Sequence, residues 1–172
     1  MSEPKQDAFP MASRPNIPGY GIMDANSGKG LLPWTWATEH LIKAHTYLVA
    51  TTRSDGRPHV MPVWGIWLEG KFYFSTGRKS RKARNLSENP RCVVSIELSG
   101  ESVIVEGVAE EITEKAVLQQ CCEAYNAKYH WEMEANDEPF FAVRPSVVFG
   151  FIENDSLFIS TATRWIFDRE ST

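Results

Sequence analysis

An antiparallel pair of strands is predicted by one stretch of the sequence, Tyr47-Leu-Val-Ala-Thr-Thr-Arg-Ser-Asp-Gly-Arg-Pro-His-Val-Met-Pro-Val-Trp64. A run rich in β-branched and apolar residues leads through Ser54-Asp-Gly-Arg57 into a second such run, which extends to Leu68. An Asp-Gly pair between two apolar runs is a strong hairpin signal. Pro62 cannot donate a hydrogen bond to a strand ladder, so we expect the second strand to be at an edge, bulged or turned toward a ligand.

The rest of the sequence extends this pattern into an antiparallel sheet. Further short apolar runs separated by turn signals predict strands over 71–76, 92–98, 102–112, 143–152 and 157–161, the last two joined around Asn154-Asp155. Helical spacing predicts helices over 35–45 and 80–87 and a longer one after Thr113. Strands joined mostly by tight turns favour a mainly β fold, and a small barrel removes exposed sheet edges.

Two regions differ in composition. Residues 1–34 contain five of the ten prolines, which predicts an irregular N-terminal arm. The pattern of strands and helices occupies residues 35–172, a length suited to one domain. Three cysteines, two of them adjacent, do not form a disulfide framework, so a reducing cytoplasm is expected. We also expect no membrane partner, because no apolar run approaches the roughly 18–20 residues that span a bilayer.

Charge is concentrated in one part of an acidic chain. The net charge is −4, which argues against a general nucleic-acid binder, and the four histidines do not have the spacing of a metal site. Between Arg53 and Arg91, however, nine basic residues face three acidic ones, a local balance of +6. Five of the seven positions in Arg78–Arg84 are Lys or Arg. Such a cationic spot on an acidic protein indicates one anionic ligand.

The segment Phe72-Tyr-Phe-Ser-Thr-Gly-Arg-Lys-Ser-Arg-Lys-Ala-Arg-Asn-Leu86 indicates which anion. A strand ends in two hydroxyls, a glycine permits a turn, and a helix then begins with basic residues in its first turn. Basic residues ordinarily favour the helix C-terminus, whereas an anion favours the N-terminus. The pattern therefore predicts a phosphate site, with a solvated basic face as the alternative. The neighbouring run Val63-Trp-Gly-Ile-Trp67 offers either core residues or an apolar wall for an aromatic ring.

These motifs resemble the pyridoxamine 5′-phosphate oxidase-like superfamily. The hairpin run Leu48–Trp64 is similar to its opening hairpin, and Ser80-Arg-Lys-Ala-Arg-Asn-Leu86 is similar to its cofactor-phosphate segment. The run Thr161-Ala-Thr-Arg-Trp165 resembles an ending of its flavin and deazaflavin oxidoreductase branch. The resemblance implies a six-stranded antiparallel split β-barrel of the FMN-binding type, with two or three flanking helices. It also implies a homodimer with cofactors at the interface, usually FMN and in one branch the deazaflavin coenzyme F-420.

The family motifs imply a set of cofactor-binding residues. Five would hold the phosphate, a segment of the second strand would run along the ring, and the C-terminal pair would come from the partner subunit. In chain order the residues are Arg57, Met61, Pro62, Val63, Trp64, Ser75, Thr76, Ser80, Arg81, Lys82, Arg164 and Trp165.

The sequence departs from the true oxidase of this superfamily. That enzyme grips its substrate with a Tyr-x-x-x-Arg-x-x-x-Ser pattern, whereas here Tyr125 is followed by Tyr129 and then Met133. We therefore expect a different small-molecule substrate, planar and hydrophobic, reduced by FMN or F-420. A non-catalytic flavin or tetrapyrrole binder is the alternative, and a nucleic-acid module is the least favoured one.

Overall fold

A computed structural model of the protein describes residues 10–134 and 138–167. The first nine residues of the predicted arm and the last five of the predicted domain lie outside the described residues. The strands are β1 (Met11–Ser13), β2 (Tyr47–Thr52), β3 (Pro58–Val63), β4 (Gly65–Leu68), β5 (Lys71–Ser75), β6 (Arg91–Leu98), β7 (Glu101–Glu111), β8 (Phe140–Ile152) and β9 (Thr163–Ile166). The helices are α1 (Trp34–Lys43), α2 (Arg81–Glu88), α3 (Lys115–Tyr129) and α4 (Asp155–Thr161).

The strands form one antiparallel sheet. Its order is β1-β9-β8-β7-β6-β2-β3, and β5 pairs with both β4 and β8. The expectation of a mainly β antiparallel fold is confirmed. The expected six strands and two or three helices are wrong, since the described residues contain nine strands and four helices. None of these helices is both long and apolar enough to cross a membrane.

The sheet divides at β8 and does not close. The first residues of β8 pair with β5, whereas Val147–Gly150 pair with β9. A register shift between Glu106 and Gly107 on β7 accompanies this change of partner. At the opposite side, β3 and β4 are separated only by Trp64, yet no ladder joins them in the part of the chain described. At Trp64 the chain therefore passes from the β2 side of the sheet to the β5 side.

Two details of the expected strand pattern are wrong. The run up to Leu68 forms two strands with different partners, since β3 pairs with β2 and β4 pairs with β5. The run 157–161 lies in α4, because Asn154 caps a helix instead of making a hairpin turn: its Oδ1 accepts from the Ser156 and Leu157 N–H groups. The edge position expected for the strand with Pro62 is confirmed, because β3 has only β2 as a ladder partner.

The core lies on both sides of β4 and β5. One cluster fills the inner face of the sheet beneath α1, with Leu41, Tyr47 and Phe72 fully buried. The other lies under α3, where Cys121 and Cys122 pack as the sequence predicted. Burial raises the pKa of Cys121 to about 11, so this thiol is inert as a nucleophile at neutral pH.

The described part of the N-terminal arm packs on its own chain. β1 pairs with β9 in the register Met11 to Ile166. The Arg14 guanidinium donates hydrogen bonds to the carbonyls of Ser160 at 2.8 Å and Ala162 at 2.9 Å, at the end of α4. The arm is therefore held by backbone pairing and by a side chain that satisfies carbonyls at a helix C-terminus.

Candidate functional site

Helix α2 is fixed in place by a short chain of polar contacts. Ser80 is its N-cap, and its Oγ accepts a hydrogen bond from the Ala83 N–H at 3.1 Å. Thr76 Oγ1 donates to Ser80 Oγ at 3.1 Å, which ties the cap to the segment after β5. The buried Asn85 donates from Nδ2 to Thr51 Oγ1 on β2 at 2.9 Å. These contacts set the start of α2 beside the β2–β3 hairpin.

Four basic side chains converge there, and we call Arg53, His59, Arg81 and Lys82 the cationic cluster. Burial lowers the pKa of His59, and the charges of Arg53, Lys82 and Arg81 lower it further. Burial also lowers the pKa of Lys82. Within residues 10–134 and 138–167, the ion pairs found involve none of these four side chains. Three unpaired cations acting on one imidazole repel one another, and an anion among them would relieve that repulsion.

Unsatisfied polar groups add to the case for an anion. The first N–H groups of a helix have no intrahelical acceptor, so the Arg81 and Lys82 amides remain available beyond the one that Ser80 caps. The Arg53 Nε and His59 Nδ1 atoms are buried and have no hydrogen-bond partner within residues 10–134 and 138–167. Buried polar atoms in native proteins nearly always have partners. The cluster thus combines positive charge, free helix amides and unsatisfied nitrogens, which is the chemistry of a phosphate site.

Other residues of the expected phosphate site have partners within the chain. Arg57 lies at the tip of the hairpin, where its guanidinium donates to Asp55 at 2.9 Å and 2.6 Å and holds the pKa of that carboxyl near 2. It is not among the charges that act on His59. Ser75 Oγ donates to the Pro139 carbonyl at 3.2 Å. The hydroxyl oxygens of Ser75 and Thr76 retain the capacity to accept a hydrogen bond.

The expected C-terminal pair lies elsewhere in the chain, on β9. Trp165 is 1% exposed and packs edge-to-face on Trp34, with ring centroids 5.4 Å apart. Arg164 donates from Nε to Ser13 Oγ on β1 at 3.2 Å. The structure does not bring either residue to the cationic cluster of its own chain. Core packing accounts for the tryptophan.

Aromatic rings gather at the other end of β3, and we call Trp64, Tyr129, His45 and Trp131 the aromatic patch. The Trp64 and Tyr129 rings stack with centroids 4.7 Å apart and planes within 2°. His45 and Trp131 meet Trp64 edge-on at 5.7 Å and 6.0 Å. Trp64 remains 38% exposed, so the stack presents apolar ring surface to a ligand.

Hydrogen bonds from α3 hold this patch at the break between β3 and β4. The Tyr129 hydroxyl accepts from the Gly65 N–H at 2.8 Å and lies 2.8 Å from the His45 carbonyl. Lys128 Nζ donates to the Gly65 carbonyl at 3.0 Å and to the Tyr47 hydroxyl at 2.7 Å. Burial lowers the pKa of Lys128 to about 8. Side chains of α3 therefore satisfy both backbone polar groups of Gly65. These contacts fix the backbone next to Trp64 and so help to position its ring.

Strand β3 connects the two features. His59 and Trp64 are five residues apart, about 16 Å in an extended strand. Between them, Met61 and Pro62 are exposed, whereas the Val63 side chain is buried and can offer a ligand only its backbone. An edge strand keeps backbone groups free on one side. The exposed edge of β3 therefore runs from the cationic cluster to the aromatic patch.

Sequence reasoning missed Arg53, His59 and Lys128 and took Tyr129 only as a core residue. The register of the predicted hairpin could have found His59, because it places this residue opposite Thr51 at the base of the turn, beside Arg53. No comparable signal exists for Lys128, whose partners Tyr47 and Gly65 are more than 60 residues away. The described residues contain no group of three or more His, Cys, Asp or Glu side chains that could hold a metal ion.

The family model for pyridoxamine 5′-phosphate oxidase matches residues 37–151. The chain belongs to this family. No curated protein matches it. Among solved structures, a conserved hypothetical protein from Mycobacterium tuberculosis is similar at 21% identity over 73% of this chain and 88% of its own, with a TM-score of 0.66.

Two further similar structures extend the range of ligands named for this fold. An F420 reductase is 22% identical over 71% of this chain and 98% of its own, with a TM-score of 0.55. A heme binding protein from Mycobacterium smegmatis is 21% identical over 66% of this chain and 52% of its own, with a TM-score of 0.56. At these identities the similarity shows the fold, which is that of the pyridoxamine 5′-phosphate oxidase-like split barrel.

Proposed function

We propose that this protein is a flavin-type oxidoreductase that binds FMN and transfers hydride to a small, planar, hydrophobic substrate. Coenzyme F-420 is the alternative cofactor for the same residues. The observation that carries the proposal is the cationic cluster, whose charges lack salt-bridge partners in the described chain and lie at the start of α2. Membership of the oxidase family supports a cofactor with a phosphate.

The phosphate would be bound by side chains and by the helix start together. Arg81, Lys82 and Arg53 would donate charge-assisted hydrogen bonds, with the amides of the first turn of α2. Thr76 and Ser80 would support the site mainly by fixing that turn, because their hydroxyls bond to each other and to Ala83. The unsatisfied Arg53 Nε and His59 Nδ1 atoms fit a site that gains partners on binding.

The ring of the cofactor would lie along β3, and the substrate would follow it at the aromatic patch. Met61 and Pro62 offer exposed surface on this edge strand, and Trp64 offers a ring face. When bound, FMN or the deazaflavin supplies the hydride chemistry, while the protein supplies binding, orientation and electrostatics. A planar apolar acceptor is the ligand that the stacked Trp64–Tyr129 pair suits.

We also propose that the protein works as a homodimer. Strand β2 turns Val49 inward and Leu48 outward, and Leu48 is 47% exposed. Val60 on the adjoining strand is 50% exposed on the same outer face, so the two side chains form an apolar surface that a second copy would cover. The cytoplasm is the proposed compartment, because three cysteines, two of them adjacent, do not form a disulfide framework.

Titration of the purified protein with FMN and with F-420 tests the cofactor. We expect one of them to bind with submicromolar affinity, measured by the quenching or shift of the cofactor's fluorescence. The double variant Arg81→Ala/Lys82→Ala removes two charge-assisted hydrogen bonds, each worth about 1.5–3 kcal/mol, so affinity should fall by about 100-fold or more. The charge-matched control Lys29→Ala/Lys115→Ala removes two exposed lysines, one in the N-terminal arm and one at the start of α3, and should leave affinity unchanged.

The outcomes separate the candidate functions. Binding of neither cofactor would overturn the proposal, and equal affinity of the two double variants would show that the phosphate lies elsewhere. If the protein binds a cofactor but no planar acceptor reoxidises the reduced form, the protein is a carrier and not an enzyme.

A further inference from the structure

His59 is surrounded by positive charge from each element that packs on it. Arg53 follows β2, while Arg81 and Lys82 are on α2, and all three charges lower the pKa of His59. The carboxylate of this hairpin, Asp55, lies close enough to Arg53 to feel its charge but is held by Arg57. Among the described residues, all the charges that act on His59 are positive, so none of them favours the protonated imidazole.

The hydrogen-bonding state of His59 is also incomplete. Its Nδ1 atom is buried and has no partner in the part of the chain that the structure describes, so the neutral ring with Nδ1 unprotonated leaves no buried N–H group unsatisfied. The ring then carries its proton on Nε2. A second proton on Nδ1 would add a fourth positive charge to the cluster, and only a compensating anion makes that favourable.

A phosphate monoester in the cationic cluster would favour the protonated His59 ring over the neutral one. It carries about −1.5 to −2 charges at pH 7, because its second pKa is near 6. An opposite charge within about 4–6 Å favours the charged form of a titratable group. A phosphate diester carries a single negative charge and would therefore stabilise the protonated imidazole less.

We propose that His59 is a phosphate-binding residue that takes up a proton when a phosphate monoester occupies the cationic cluster. Protonation makes the site favour a ligand with a terminal phosphate over one with an internal diester. This inference rests on the proposed function for the identity of the cofactor, but the proton uptake can be tested with inorganic phosphate alone.

Titration of the histidine ring protons by NMR measures the effect directly. The four histidines give separate signals, and the signal that disappears in His59→Gln belongs to His59. In the free protein we expect the His59 pKa below its usual value of about 6.5. Saturation with FMN or with inorganic phosphate should raise it by one unit or more, riboflavin should leave it unchanged, and F-420, whose phosphate is a diester, should raise it less than FMN.

The His59→Gln variant gives a second readout, because glutamine retains a hydrogen-bonding N–H group without titrating. Relative to this variant, the wild-type affinity for FMN should fall about tenfold between pH 6 and pH 8. Comparing the two proteins removes the titration of the FMN phosphate itself. A control variant, His130→Gln, changes an exposed histidine after α3 and should behave as wild type.

Failure of this inference can be told from failure of the proposed function. If FMN binds and the His59 pKa does not rise, His59 is not a proton-accepting ligand, while the cofactor assignment stands. If neither cofactor binds, the proposed function fails and the inorganic phosphate arm decides: a raised pKa supports the site, and an unchanged one overturns it. An equal shift with FMN and F-420 would overturn the selection of a monoester.

Discussion

Lys128 is a half-buried lysine whose ammonium group meets a carbonyl and a phenol and has no carboxylate partner among the described residues. Burial lowers its pKa to about 8, whereas in the unfolded chain it titrates near 10.4. Between these two values the unfolded chain binds more protons, so the contribution of Lys128 to the free energy of unfolding rises with pH. Below pH 8 both states are protonated, and the contribution is constant.

Replacing Lys128 by Met tests this at the residue scale, since methionine keeps the apolar stem and removes the charge. We expect the stability of the wild type relative to Lys128→Met to increase as pH rises from 7 to 9.5, measured by urea unfolding. The buried thiols and tyrosines titrate in both proteins and drop out of the difference. A stability difference between wild type and Lys128→Met that stays the same across this pH range would contradict the assigned burial effect.

At the scale of the element, the stability of α2 depends on one hydroxyl at its start. Replacing Ser80 by Ala removes the acceptor of the Ala83 N–H and should lower the free energy of unfolding by about 1 kcal/mol. Ser80→Asn, which substitutes another good N-cap residue, should recover most of that loss. Ser87→Ala, whose hydroxyl donates to the Arg84 carbonyl at the other end of the helix, should change stability by less than about 0.5 kcal/mol. Equal losses in the Ser80→Ala and Ser87→Ala variants would argue against the cap.

The elements also show how far local patterns determine this fold. The Asp-Gly turn and the strands on each side are predicted well, because a hairpin is fixed by neighbouring residues. Asn154 was misassigned because asparagine favours both turns and helix N-caps, and the short apolar run after it has no decisive period. The break at Trp64 was missed for another reason: it depends on Tyr129 and Lys128, which reach Gly65 from α3.

At the scale of the molecule, the unpredicted features are contacts between distant parts of the chain. Strand β1 has three residues and no recognisable alternation, and its partner β9 lies more than 150 residues away. The cationic cluster also joins parts of the chain that are separate in sequence. The sequence predicts a phosphate site at α2, but it does not predict that Arg53 and His59 of the hairpin lie beside this helix. Local sequence indicates α2 as the segment that we propose binds the anion, whereas sheet register determines which hairpin residues lie beside it in the cationic cluster.

The outer face of β2 and β3 leads to a prediction about the assembled protein. Leu48 and Val60 are each about half exposed on adjoining strands, so they can be replaced without disturbing the core. If this face joins two copies, the wild type should sediment at about twice the 19.5 kDa mass of one chain. The Leu48→Asp/Val60→Asp variant should sediment as a monomer, because dimer formation would bury two carboxylates without partners. Ile42→Asp introduces a carboxylate at an equally exposed apolar residue on α1 and should remain dimeric. A monomeric wild type would contradict the proposed assembly, and a dimer that survives the double change would place the interface on another face.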